Sequence, residues 1–102
     1  MHAMFSHLVV FVTDRLNLAA ADELLAGANQ LLQNIPGVMH FHAGKMVPSS
    51  RPVVEQNYQV ALNLIFPDKA AEQAYQSHPQ HIEFIEKYVK RLVRKVVVYD
   101  FE

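Results

Sequence analysis

Apolar residues along this chain fall either into short unbroken blocks or into spaced stripes, and the two patterns separate strands from helices. The block Leu8-Val9-Val10-Phe11-Val12 is β-branched and aromatic and closes at polar Thr13-Asp14, which predicts a first strand. Leu18, Ala21, Leu25, Ala28 and Leu32 then recur at helical spacing, with Leu24, Leu31 and Ile35 beside them, until Pro36-Gly37 ends the helix. Val38 to Met46 reads as a second strand, followed by a loop holding Pro48, Ser49, Ser50 and Pro52. A third strand is expected from about Gln56 to Phe66, where Tyr58, Val60, Leu62 and Leu64 alternate with Gln59, Ala61 and Asn63. Asp68 is a candidate N-cap for a short helix that runs to about Tyr75. Ser77-His78-Pro79 interrupts it, and Pro79 suits the first turn of a new helix because its missing N–H would have no intrahelical partner there. Ile82, Ile85, Val89, Leu92 and Val93 mark the buried stripe of that helix, and Val96-Val97-Val98-Tyr99, extending towards Phe101, is the last strand.

The order is βαββαβ, the split βαβ pattern, with the second helix broken in two. It predicts an α+β, ferredoxin-like fold with an antiparallel four-stranded sheet and its helices on one side. Such a sheet should alternate apolar and polar residues, since its other face meets water. The first and last strands do not. Leu8, Val10 and Val12 oppose Val9 and Phe11, while Val96 and Val98 oppose Val97 and Tyr99. A bare apolar face is more than soluble monomers usually expose. The simplest cover is the same face of a second copy, giving a homodimer in which two sheets close a dimeric α/β barrel. A bound lipid or an unrelated partner is the alternative.

Composition adds limits rather than a function. A chain of 102 residues fits one domain, residues 1–102. Its formal net charge of −1 provides no general attraction to nucleic acid or to an anionic membrane. Lys87, Lys90, Arg91, Arg94 and Lys95 form a local basic run, which reads as a solvated helix face near a helix C-terminus. With no cysteine, disulfides and thiolate metal sites are excluded. Met1-His2-Ala3-Met4 lacks the basic start of a secretory signal and no apolar run is long enough to span a bilayer, so the expected place is the cytoplasm.

Six histidines prompt the question of where they sit. His7 opens the first strand and shares a face with Val9 and Phe11, so Phe11 is a candidate ligand contact beside it. Tyr75, His78 and His81 surround the break between the helices, and a spacing of three puts His78 and His81 on roughly one side of a helix start, which makes His78 a second candidate ligand-binding residue. His81 lies in the first turn, where the dipole favours the neutral imidazole. A neutral imidazole accepts a proton, and a phenol donates a hydrogen bond to a developing oxyanion; together these are the parts of acid–base work on a carbonyl compound. The plainer reading is that the His-Pro pair shapes a turn, with His78 capping and Tyr75 packing on the sheet. His40 and His42, two apart on the second strand, point the same way and could hold zinc with another ligand, but no convincing third ligand accompanies them. No metal and no organic cofactor is therefore expected.

The chain resembles the stress-responsive dimeric α/β-barrel (Dabb) family over nearly its whole length. The resemblance rests on His7-Leu8-Val9-Val10-Phe11, Ile35-Pro36-Gly37-Val38, Gly44-Lys45 and above all Tyr75-Gln76-Ser77-His78-Pro79-Gln80-His81. It implies the dimeric ferredoxin-like fold and is similar to cofactor-free monooxygenases and other small dimeric barrels, a fold that hosts many activities. One branch, plant olivetolic acid cyclase, performs an intramolecular aldol reaction on a linear polyketide without metal or cofactor. By that resemblance His81 is the candidate base, Tyr75 steadies the oxyanion and His7 orients the site. Haem or quinol oxygenation, as in other dimeric barrels, is a further reading, although no tryptophan is present. A binding module is another: an apolar pocket for a small aromatic or apolar carbonyl compound, with the histidines providing polarity and fit.

Overall fold

The computed structural model describes residues 4–102; Met1 to Ala3, on which the reading of the chain's start rests, lie outside the described residues. Strand β1 (Phe5–Thr13) is longer than its apolar block, because Phe5 and His7 continue the alternation upstream. Phe5, His7, Val9, Phe11 and Thr13 are buried, while the residues between them are half-buried. Helix α1 (Ala20–Leu31) is followed by β2 (His40–Lys45), β3 (Val60–Phe66) and α2 (Lys69–Gln76). Then α3 (Pro79–Phe84) runs through a π-helical turn (Ile85–Val89) into α4 (Lys90–Leu92), and β4 (Val93–Phe101) closes the chain. The sheet order is β2-β3-β1-β4, with each neighbouring pair antiparallel, which is the ferredoxin-like arrangement expected. The helices bury Leu24, Ala28, Leu32, Tyr75, Phe84 and Leu92 against Val9, Phe11, Val60, Leu62, Leu64 and Phe66.

Strand β3 begins at Val60, four residues later than the expected Gln56, and two helices differ from the sequence pattern. Leu18 is 92% exposed and precedes α1 instead of starting its stripe, which is Ala20, Leu24, Gly27, Ala28 and Leu31. The local reason is side-chain competition. Asp14 Oδ1 accepts the Leu16 N–H at 3.0 Å and Asn17 Oδ1 accepts the Ala19 N–H at 3.2 Å, bonds that favour turns over helix. At the other end, Leu32 and Ile35 are buried from the turn that follows the helix, and Gly37 takes a φ of 94° that a side chain would resist.

The last helix is the second difference. The Lys90 N–H reaches back five residues to the Ile85 carbonyl. Residues eight apart lie about 80° apart around a regular α-helix. One inserted residue brings them back to within about 20°, so Phe84 and Leu92 both enter the core at 1% exposure. The expected stripe is rotated accordingly. Ile82 is 50% exposed, Ile85 and Val89 are half-buried, and Val93 already belongs to β4.

Asp68 caps α2 as expected, its carboxylate accepting the Ala71 N–H at 2.8 Å. The basic run is largely neutralised: Lys87 pairs with Glu83, Lys90 with Glu86, Arg91 with Glu23 and Arg94 with Asp14. The side of the sheet away from the helices carries Leu8, Val10, Val12, Ala61, Ile65, Val97, Tyr99 and Phe101, as the pairing register requires. Val96 and Val98 point to the helix side but remain 45% exposed, because β4 is the sheet edge that the helices do not reach. No helix among the described residues is long and apolar enough to cross a membrane.

Candidate functional site

His7 sits on the helix side of β1, one strand from the edge, and is only 4% exposed. Its register partners there are Leu64 on β3 and Asp100 on β4. The Asp100 carboxylate lies 2.6 Å from His7 Nδ1, and Glu72, reaching up from α2, lies 3.7 Å away on the same nitrogen. Glu72 is itself held, accepting a hydrogen bond from the Gln76 side-chain amide at 2.5 Å. An imidazole gripped at Nδ1 by a carboxylate has a fixed ring orientation and presents its other nitrogen in a defined direction.

The break between α2 and α3 sets the next layer. Tyr75, on the last turn of α2, is 1% exposed, with its ring 5.1 Å from Phe66 and 6.1 Å from His7, centroid to centroid. The chain then turns at His78, extended (φ −67°, ψ 140°) as a residue before proline tends to be, and Pro79 starts α3. His81 thereby folds back over Tyr75, ring centroids 4.7 Å apart in an edge-to-face arrangement. His78 takes a different part. Its Nδ1 accepts the Gln80 N–H at 3.1 Å as the N-cap of α3, and it does not line the cavity described next.

His7, Tyr75 and His81 converge on one cavity of about 160 Å³ between the sheet and α3. Val9, Phe11, Leu62, Phe84, Ile85 and Val89 supply apolar lining, Gln76 adds an amide, and Val96 and Val98 form the rim on β4. Phe11, expected beside His7, stands edge-to-face against Phe84 with centroids 6.2 Å apart. Burial pushes the Tyr75 hydroxyl well above the ordinary phenol range, and the nearby Glu72 carboxylate adds to it, so the phenol keeps its proton. His81 moves the other way. Burial lowers its pKa and His7 contributes repulsion, against smaller raising effects from a hydrogen bond with the Gln76 backbone and from Glu72. The cavity thus holds a proton donor that stays protonated beside an imidazole that stays neutral.

His40 and His42 project from β2 on the opposite face of the sheet, remote from this cavity. Among the described residues no group of three or more His, Cys, Asp or Glu could hold a metal ion. The residues that sequence reasoning missed are Glu72 and Asp100. Asp100 is 93 positions from His7, and only the β1–β4 register brings them together.

The sequence model of the stress responsive A/B barrel domain family matches residues 5–102. The chain belongs to the stress-responsive A/B barrel (Dabb) family. A stress-response A/B barrel domain-containing protein of Arabidopsis thaliana is 32% identical over 99 residues, which is 95% of this chain and 84% of that protein. A Dabb family protein with a ferredoxin-like fold from Mesorhizobium loti shares 27% identity at a TM-score of 0.77, covering 97% of this chain and 95% of its own. A dimeric ferredoxin-like protein of unknown function from Jannaschia is 26% identical at a TM-score of 0.75, covering 98% and 99%. This Dabb chain therefore carries its His/Tyr cavity on the family's fold.

Proposed function

We propose that this Dabb protein is a homodimer that binds a small apolar or aromatic carbonyl compound in the cavity bounded by His7, Tyr75 and His81. The observation that carries the reading is the lining itself: apolar walls around one protonated phenol and one neutral imidazole 4.7 Å apart. Ligand sites are typically apolar clefts with a few convergent polar groups. Size narrows the class. An apolar cavity of about 150 Å³ holds one benzene ring, so the roughly 160 Å³ here fits a single-ring head group, with any remainder leaving past Val96 and Val98. Titrating acetophenone into the labelled protein and following its NMR resonances tests this. Shifts centred on Tyr75, His81 and Phe84 support the site; shifts absent there, or confined to the far face of the sheet, contradict it.

One observation favours catalysis as a second reading. Two adjacent groups pushed to opposite protonation behaviour are the pattern of an acid–base pair. His81 would remove a proton from the carbon next to the ligand carbonyl, and Tyr75 would hydrogen-bond the enolate oxygen. The enolate carbon would then attack a second carbonyl of the same molecule, whose new alkoxide takes the proton back from His81. In this reading His7, held by Asp100, positions the imidazole–phenol pair. Proton–deuterium exchange at the α-carbon of acetophenone reports the first step; a rate equal in wild type and His81→Gln protein removes the catalytic reading and leaves binding intact.

The dimer is supported by the apolar open face and by the dimeric Jannaschia protein. Its covering of that face is what a soluble chain of this composition requires.

A further inference from the structure

Glu72 and Gln76 stand four residues apart on α2, so both lie on one face of the helix. Glu72 is buried at 6% exposure; its Oε2 accepts the Gln76 side-chain amide at 2.5 Å and stands 3.7 Å from His7 Nδ1. A carboxylate only accepts, so the amide turns its nitrogen towards Glu72. The Gln76 side-chain oxygen is left without a hydrogen-bond partner among the described residues. Gln76 lines the cavity beside Tyr75 and His81 and is itself exposed, which places it at the mouth.

A ligand that fills this cavity strips water from the polar groups it covers. The Tyr75 phenol, which keeps its proton, is answered by the ligand's carbonyl oxygen. A neutral His81 ring retains one accepting nitrogen, and Gln76 adds an accepting oxygen. A ligand with a carbonyl group alone offers these acceptors nothing, and a covered acceptor without a donor is costly. Charge narrows the choice further. Among the described residues that line the cavity there is no lysine or arginine, while Glu72 and Asp100 both close on His7. Two carboxylates beside one imidazole leave no surplus positive charge at that end, so an anionic ligand finds no counter-charge.

From this arrangement we propose that Gln76, oriented by Glu72, is a specificity-determining residue, and that the ligand it selects is an uncharged carbonyl compound carrying a hydroxyl donor. The inference rests on the ligand-site reading above and narrows its chemical class. Gln76 meets the ligand directly, its amide oxygen accepting the ligand's hydroxyl. Glu72 does not line the cavity and is a positioning residue. It keeps the amide from presenting its nitrogen instead, and its charge turns acids away.

Four probes share one ring and differ only in what it carries. Acetophenone has no donor, meta- and para-hydroxyacetophenone have a neutral donor, and para-acetylbenzoate has an anion. Titrated into the intact protein at neutral pH, at least one hydroxy isomer should bind roughly three- to tenfold more tightly than acetophenone, the worth of one net hydrogen bond. Acetylbenzoate should bind at least about tenfold more weakly. Gln76→Leu, at an exposed helix end, should abolish the hydroxyl preference and leave acetophenone affinity within about twofold. Glu72→Gln keeps the size but both donates and accepts, so the preference should shrink and acetylbenzoate should gain. A merely structural role for either residue would weaken every probe alike and leave the ratios unmoved. Equal binding of acetophenone and both hydroxy isomers, or a preference that survives Gln76→Leu, overturns the assignment of Gln76. Wild-type ratios in Glu72→Gln protein overturn the part given to Glu72, and acetylbenzoate that binds as well as acetophenone overturns the charge selection. NMR on the same samples separates the two failures. Acetophenone that shifts Tyr75, His81 and Phe84 without discrimination among the probes rejects this inference alone, and probes that leave those residues unmoved reject the ligand-site reading with it.

Discussion

At the scale of single residues, Tyr75 performs two roles that one substitution separates. Its ring packs on Phe66 and His81, and the residue lines the cavity together with His7 and His81, where its hydroxyl is proposed to meet a ligand. Tyr75→Phe keeps the ring, so the urea midpoint should shift by the equivalent of no more than about 1.5 kcal/mol, the span of a single net hydrogen bond. Acetophenone affinity should nevertheless fall several-fold by calorimetry; unchanged affinity would deny the hydroxyl its part. His81 makes a pH-dependent prediction. Its folded pKa is lowered, chiefly by burial, so the unfolded chain binds the proton more readily. Its contribution is therefore present above the unfolded value of about 6.5 and is lost as pH falls through that value towards the lower folded one. Unfolding midpoints measured from pH 8 to pH 5 should drop more steeply for wild type than for His81→Gln protein. Parallel curves would contradict the assignment.

At the scale of elements, the π-helical turn and the caps decide how the cavity is walled. The Tyr88 ring lies face-on over Gly27 of α1, where an added Cβ would stand 2.8 Å from three ring carbons, and stacks on Phe84 with centroids 6.0 Å apart. Gly27→Ala gains helix propensity but must displace that ring. The expected balance is a loss of about 1–2 kcal/mol, within the range for overpacked sites, and a thermal melt that rises instead would show the ring yields freely. Asp68→Ala removes the α2 cap and should cost about 1 kcal/mol in the same assay. These elements also mark how far the sequence could be read. Alternation put His7, Val9 and Phe11 on one face, and Pro79 placed the break that folds His81 over Tyr75, because both signals are local. The rotated stripe of the last helix was not legible, since a π-turn leaves Ile85 and Val89 at ordinary helical spacing and shows only in which residues reach the core. The carboxylates that grip His7 were hidden for a different reason. They depend on strand register and on helix placement, which are settled by packing between distant segments.

At the scale of the whole molecule, a sheet with helices on one side leaves its other side to be explained. The helix side closes around Phe66, Tyr75, Phe84, Leu24 and their neighbours, nearly all buried to a few per cent. On the far side Tyr99 and Phe101 remain more than half exposed, with Leu8, Val10 and Val97 beside them. Water tolerates scattered apolar residues but not a contiguous sheet of them. Asp100, which fixes His7, and Val96 and Val98, which rim the cavity, all lie on β4, so the proposed dimer would shield the strand that borders the proposed ligand site. Sedimentation velocity of the ligand-free protein at micromolar concentration tests this most directly. With a chain mass of 11.6 kDa, the prediction is one species at twice that mass. A folded, non-aggregating particle at the mass of a single chain would contradict it.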